Sequence, residues 1–307
     1  MTTQTQSGKS LEYQLALMLE RYLQIPFTDN AEKKTGEQAF LSHTPEEQHK
    51  IQRAADEAIT FLLGFEKRLH DGTSIELQAD MMGKHGDPRD VIVRMPDGRD
   101  IGISSKNRHY AIKHSRLSDT IDFGKEWADF PCSSNYMKRI KPVFDDLRVK
   151  RTEKMLFRDI PDKANRYYLP ILNAFEDELR TLCETYGQRF VVRMFQYLLS
   201  KHDFYKVIKD NGHVIIQSFN LNGDLAWGKK WKIPERIENI QRKRGSDNTL
   251  IVSFVDGWQI SFRIHNASSR VEPSLKFDIN FISMHHSVPK QEITYKLDKP
   301  MISVVGV

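Results

Sequence analysis

Gly86-Asp87-Pro88-Arg89-Asp90-Val91-Ile92-Val93-Arg94-Met95-Pro96-Asp97-Gly98-Arg99-Asp100-Ile101-Gly102-Ile103-Ser104-Ser105-Lys106 reads as two short strands joined by a tight turn. Pro96 presets φ for the first central position of a type I turn, and Gly98 suits the left-handed position that follows, closing the hairpin through a bulge. The turn fixes the register. Met95 faces Arg99, while Val91 and Val93 fall opposite Ile103 and Ile101 on the face to be buried. Asp90 falls opposite Ser104, with Lys106 further along the same face.

An acid and an ammonium group presented together at one end of a β-ribbon suit phosphodiester hydrolysis. The carboxylate holds a divalent cation against the phosphate, where the metal polarises it and acidifies a water. The lysine orients that water and offsets the charge that develops on the phosphate. Mg2+ prefers oxygen ligands together with retained waters. The pattern resembles the PD-(D/E)xK nuclease motif, with Asp90 as the first acid and Ser104-Ser105-Lys106 as the second half. The usual second acid is Ser104 here, so one metal carboxylate has to come from elsewhere. Glu12, Glu76 and Asp80 are the candidates, with Asp80 preferred for its nearness to the loop, and the Ser105 carbonyl is a further ligand candidate. Taken alone, the same residues also fit a surface hairpin whose exposed ion pair contributes at most about 1 kcal/mol.

Directly after Lys106 come Asn107, Arg108, His109, Lys113, His114 and Arg116, a set of cations and amides suited to phosphate oxygens. His109 and His114 have no nearby Cys or His pair to complete a closed zinc site. DNA contact is the functional reading of the segment, and a solvated polar helix the bland one. Nearer the C-terminus, Trp258, Ile260, Phe262 and Ile264 alternate with Gln259, Ser261 and Arg263. One apolar face is thus anchored and the other displayed. Arg263 suits guanine O6 and N7 in the major groove, with Gln259, His265, Asn266 and Arg270 serving neighbouring bases or phosphates. Equally, Arg263 bridges a carboxylate such as Glu272 and His265-Asn266 merely turns the chain.

Two strings carry a wider resemblance: Ile103-Ser104-Ser105-Lys106-Asn107 through Asp119-Thr120-Ile121-Asp122-Phe123-Gly124-Lys125-Glu126-Trp127, and Gly257 through Glu272, ending Ser274-Leu275-Lys276-Phe277-Asp278. Together they resemble the HaeIII-type family of type II restriction endonucleases. The resemblance implies a homodimer that uses Mg2+ to cut double-stranded DNA at a short palindrome, typically GGCC, beside a companion DNA methyltransferase that protects the host. A structure-specific or repair nuclease, and a non-catalytic DNA-binding protein on a nuclease scaffold, are the competing readings.

The whole chain is compatible with this. Its 307 residues include 17 Phe, 10 Tyr and 4 Trp, too many aromatics for a disordered polymer. The most apolar stretch, residues 190–199, is broken by Arg193 and Gln196, which argues against a membrane span. With two cysteines and a polar N-terminal segment, a cytoplasmic protein is expected. The net charge is +5, and residues 106–154 and 201–244 each carry an excess of basic side chains that suits a polyanion.

Helical spacing of Leu11, Leu15 and Leu19, with Ser10 as a cap, predicts a first helix. The Thr44-Pro45-Glu46-Glu47 capping box predicts another. Two more are expected over residues 165–200. Asn222-Gly223 and Asp256-Gly257 suit hairpin turns. The expected fold is α+β: a PD-(D/E)xK-like core with a central mixed sheet flanked by helices over residues 1–200, then an antiparallel β-rich region for DNA recognition over 201–307. The two parts can pack as one continuous domain.

Overall fold

The computed structural model describes residues 4–79, 86–108 and 111–297. Its elements are, in order, α1 (Gln4–Leu23), α2 (Ala31–Leu41), α3 (Pro45–Phe65), β1 (Ser74–Leu77), β2 (Val91–Arg94), β3 (Ile101–Asn107), β4 (Lys113–Leu117), α4 (Phe123–Ala128), α5 (Ser134–Thr152), α6 (Leu169–Tyr186) and α7 (Gln188–Leu199). Then follow β5 (Phe204–Asp210), β6 (His213–Phe219), β7 (Ile237–Arg242), β8 (Thr249–Phe254), β9 (Gln259–Asn266), β10 (Leu275–Ser283) and β11 (Lys290–Thr294). The mixture is α+β, as the sequence pattern requires.

Local chemistry explains most of these boundaries. Thr44 caps α3, its hydroxyl oxygen accepting the Glu47 N–H at 3.3 Å, with Pro45 in the first helical position. The Glu47 carboxylate is not used in the cap; it takes the buried Lys209 ammonium at 2.8 Å. Ser10 lies inside α1 rather than at its start, its hydroxyl donating to the Gln6 carbonyl at 2.7 Å. The turn at Gly98 (φ 75°) closes as expected, its N–H donating to the Met95 carbonyl at 3.0 Å, and Val91 and Val93 pair with Ile103 and Ile101. Asp256 and Gly257 both take positive φ between β8 and β9. Asn222-Gly223 closes no hairpin; Gly212 (φ 73°) turns β5 into β6 instead.

The chain divides into two units, residues 1–110 with 201–232 and 286–307, and residues 111–200 with 233–285. The boundary expected at residue 200 is one of the points at which the chain passes from one unit to the other, and the β-rich tail is shared between them.

The first unit holds a six-stranded sheet in the order β1-β2-β3-β5-β6-β11. Every neighbouring pair is antiparallel except β3 and β5, which run parallel. A parallel pair needs a long crossover, and residues 111–200 of the second unit are threaded within it. Leu11, Leu15 and Leu19 of α1, with Ile51, Ala55 and Ile59 of α3, bury one sheet face against Val91, Val93, Ile101, Ile103, Tyr205 and Val207.

The second unit holds a five-stranded antiparallel sheet, β4-β10-β9-β8-β7. Trp258, Ile260, Phe262 and Ile264 are wholly buried, on the face the alternation predicts. Phe262 meets Trp127 of α4 at 6.0 Å and Phe175 of α6 at 5.5 Å, and Phe195 of α7 meets Phe254 and Trp258 at 5.4 and 5.2 Å. Such a ring cluster fixes the inner face, so the opposite face of β9 is displayed.

Candidate active site

The β2–β3 hairpin brings Asp90 and Lys106 together. Past Val91 the Asp90 N–H still donates to the Ile103 carbonyl of β3 at 2.8 Å, and the Asp90 side chain extends the contact along the strand. Its Oδ2 accepts the Ser105 N–H at 2.7 Å and the Ser104 hydroxyl at 3.3 Å. The Lys106 Nζ lies 3.5 Å from the same oxygen, and both side chains remain about a quarter exposed, so the pair is reachable. Donors at one carboxylate oxygen leave Oδ1 for another ligand. Because the Ser105 N–H points to Asp90, strand alternation turns the Ser105 carbonyl toward the same edge.

A second carboxyl joins them from α1. Glu12 is nearly buried, with the Lys9 ammonium 3.0 Å from its Oε2. Burial first, then the Asp90 charge, raises its pKa from the usual 4.5 to about 7, while Lys9 and Lys106 pull it back down. Glu12 thus shares the electrostatic field of Asp90 and Lys106. Glu76 does not join the site: it binds Arg94 at 2.6 Å, and Arg94 also holds Asp100. Asp80, the acid preferred from sequence, lies outside the described residues, as does His109.

Lys206 had not been singled out. On β5 it pairs in register with Ser104 of β3, whose hydroxyl donates to Asp90; the Asp90 N–H itself goes to the Ile103 carbonyl at 2.8 Å, so the acid is not directly opposite Ser104 as the turn register predicts. Lys206 is almost fully buried, and burial together with the Lys106 charge pushes its pKa down from 10.5 to about 7, partly offset by Asp90. The signal was a lone cation inside the apolar run Phe204-Tyr205-Lys206-Val207-Ile208.

Gly102 supports the same strand. A Cβ there would lie 2.0 Å from Arg89 Cδ, so only glycine admits the Arg89 stem over β3. The Arg89 guanidinium grips Asp87 through two contacts of 2.8 and 2.7 Å, both residues being buried. The residue next to Asp90 is thereby immobilised.

The proposed DNA contacts separate by face. In the first unit, Asn107 ends β3 with a buried Oδ1 that has no hydrogen-bond partner among the described residues, and the Arg108 (φ 52°) N–H donates to the Lys209 carbonyl at 2.8 Å. In the second unit, residues 113–117 form strand β4 rather than a polar helix. Lys113 lies over the Tyr197 ring at 3.9 Å, whereas His114 and Arg116 are exposed. Gln259, Arg263 and His265 occupy the polar side of β9. Gln259 donates to the Ser253 hydroxyl at 3.2 Å, and burial lowers the His265 pKa. Arg263 binds Asp278 at 2.7 Å; Glu272, its expected alternative partner, lies 3.6 Å from Arg151. Asn266 turns the chain, donating to the Ser268 carbonyl at 2.5 Å, and Arg270 is exposed.

Among the described residues no helix is long and apolar enough to cross a membrane. A sequence model of the HaeIII restriction endonuclease family matches residues 8–285. The chain is 35% identical to the type II restriction enzyme HaeIII of Haemophilus aegyptius over 298 residues, covering 91% of this chain and 94% of the relative. No solved structure matches.

Proposed function

The chain belongs to the HaeIII restriction endonuclease family and is a site-specific deoxyribonuclease, and we propose that it cuts double-stranded DNA at a short palindrome, GGCC, by magnesium-assisted hydrolysis at the Asp90–Lys106 hairpin. The observation that carries the mechanism is the convergence of Asp90, just before β2, with Lys106 of β3 and Glu12 of α1. In this reading the core is of PD-(D/E)xK type, with Glu12 standing in for the acid absent at Ser104.

Asp90 Oδ1, the Glu12 carboxylate and the Ser105 carbonyl are hard oxygen donors, a set that Mg2+ accepts alongside retained waters. The fit rests on Glu12: a carboxyl held near neutrality beside a second carboxylate is stabilised by a cation shared between them. Bound there, Mg2+ would supply charge to the scissile phosphate and lower the pKa of a water. The Ser105 N–H and Ser104 hydroxyl hold Asp90 in one rotamer, so its free oxygen needs no reorganisation. Lys106 orients the attacking water and neutralises charge gathering on the phosphate. Lys206 adds a buried cation within the field of Asp90 and Lys106, and the Arg89–Asp87 pair keeps the strand end rigid.

A palindrome calls for a two-fold assembly in which each subunit addresses one strand, so the active species is a homodimer, seen by sedimentation on cognate duplex. The partner activity is a methyltransferase whose modification of GGCC blocks cutting. Incubating unmethylated plasmid with protein and Mg2+ and sequencing the fragment ends tests the whole reading. Discrete fragments ending at GGCC support it. Uniform degradation or cutting only at nicks and junctions would favour a structure-specific nuclease, and binding without cutting a DNA-binding protein.

A further inference from the structure

The polar face of the second unit's sheet carries an acid that hydrolysis does not use. His114 on β4, Asp278 on β10, Arg263 on β9 and Thr249 on β8 stand in register as one row. Arg116, Lys276 and His265 form the next. Asp278 is the single carboxylate in these two rows of bases and hydroxyl. Its side chain is 9% exposed, against 55% for Arg263. Arg263 Nη2 donates to Asp278 Oδ2 at 2.7 Å, and His114 Nδ1 lies 3.4 Å from Oδ1.

A carboxylate on a surface meant for a polyanion repels phosphate and weakens binding to every sequence alike. Its placement, sunk beneath the cation that projects furthest, makes sense when its task is orientation. A guanidinium is a planar fork, and tying one Nη2–H to a fixed carboxylate narrows the orientations open to the whole group. The bond to Asp278 engages one Nη2–H, and the guanidinium keeps a parallel pair of donors for a ligand. Among the described residues no hydrogen bond occupies Nη1 or Nε. Two parallel donors at this spacing match guanine O6 and N7. An arginine already restrained in this way loses less rotamer freedom on binding.

We propose that Asp278 is a positioning residue for sequence recognition, holding Arg263 so that its outer donors meet the O6 and N7 edge of a guanine in the major groove. The proposal rests on reading this face as the recognition surface. It makes the two kinds of DNA respond in opposite senses. Removing the Asp278 charge frees Arg263 and costs cognate affinity, yet it also removes a repulsion and so spares or strengthens binding to random sequence.

The test is equilibrium binding in EDTA of wild type, Asp278→Asn, Arg263→Lys, Arg263→Ala and the Asp278→Asn/Arg263→Ala double variant. Each is titrated with a duplex carrying the site found at the fragment ends and with a random duplex of equal length. Asp278→Asn is expected to weaken cognate binding about tenfold while random binding holds or tightens, so discrimination falls about tenfold. Adding Asp278→Asn to Arg263→Ala should lower discrimination no further, because the acid acts through the arginine. Equal weakening on both duplexes, unchanged discrimination, or additive losses in the double variant would overturn the proposal. Should Asp278→Asn lose its cooperative melting transition, Arg263→Lys decides: it keeps the charge but not the fork, and wild-type discrimination in that variant refutes the idea. If the wild-type protein yields no discrete fragments, the recognition reading itself has failed, which is a separate result.

Discussion

Replacing Glu12 by glutamine exchanges a carboxylate for an amide of the same shape on α1, in the electrostatic field of Asp90 and Lys106. The expected magnitude follows from its surroundings. A pKa raised from 4.5 to about 7 means that ionising Glu12 costs about 3 kcal/mol more in the folded protein than in the unfolded chain. The folded pKa is the higher one, so the penalty is absent below pH 4.5, grows between pH 4.5 and 7, and is complete above pH 7. Glutamine does not titrate. Metal-free Glu12→Gln should therefore match wild type near pH 4.5 and exceed it at pH 8 by about 1–3 kcal/mol, the lower end reflecting the lost Lys9 pair. Urea denaturation across this pH range measures the difference. Mg2+ should reverse the order. At a hundredfold excess over its dissociation constant it stabilises wild type by about 2.7 kcal/mol, with little gain for the variant, and plasmid cleavage by the variant should drop at least a hundredfold. A variant that cuts at the wild-type rate and gains equally from Mg2+ would remove Glu12 from the site.

Asp90→Asn and Lys106→Ala should each lower cleavage by about a hundredfold or more while retaining duplex affinity in gel-shift titrations; full activity in either excludes that residue. Lys206→Met should raise stability by a few kcal/mol at pH 7 and below. The folded pKa of Lys206 is the lower one, so its burden is complete below about 7 and vanishes toward pH 10.5; a pH-independent difference in urea midpoint would contradict this. The same variant should cut more slowly, since the site loses a positive potential. Gly102→Ala drives a methyl into the Arg89 stem and breaks its buried pair with Asp87, at a cost of about 3–5 kcal/mol. An unchanged melting temperature would show that Arg89 moves aside freely.

The hairpin was legible because its turn chemistry is local. Pro96 and Gly98 dictate a pairing that the ladder obeys, and with it the meeting of Asp90 and Lys106. The alternation of residues 258–264 was legible for the same reason. For the second acid the sequence offers Glu12, Glu76 and Asp80 without separating them: Asp80 lies outside the described residues, and Glu12 reaches the field of Asp90 only through the packing of α1 on the sheet, which no local pattern encodes. Helices α2 and α5 were missed because their apolar periodicity is thin, α5 being largely charged. Arg263 was correctly placed on the displayed face, yet its carboxylate partner is a cross-strand neighbour on β10, which only the sheet register reveals.

The parallel pairing of β3 with β5 has a bearing on synthesis. A ribosome delivers Glu12, Asp90 and Lys106 long before Phe204–Asp210 emerges to dock beside β3. On the proposed reading of the site, a nascent or prematurely terminated product ending in the crossover lacks the strand that pairs with β3, Lys206 upon it, and the strands that display Arg263. On that reading, cutting is expected only from chains in which β5, β9 and β10 have already been made.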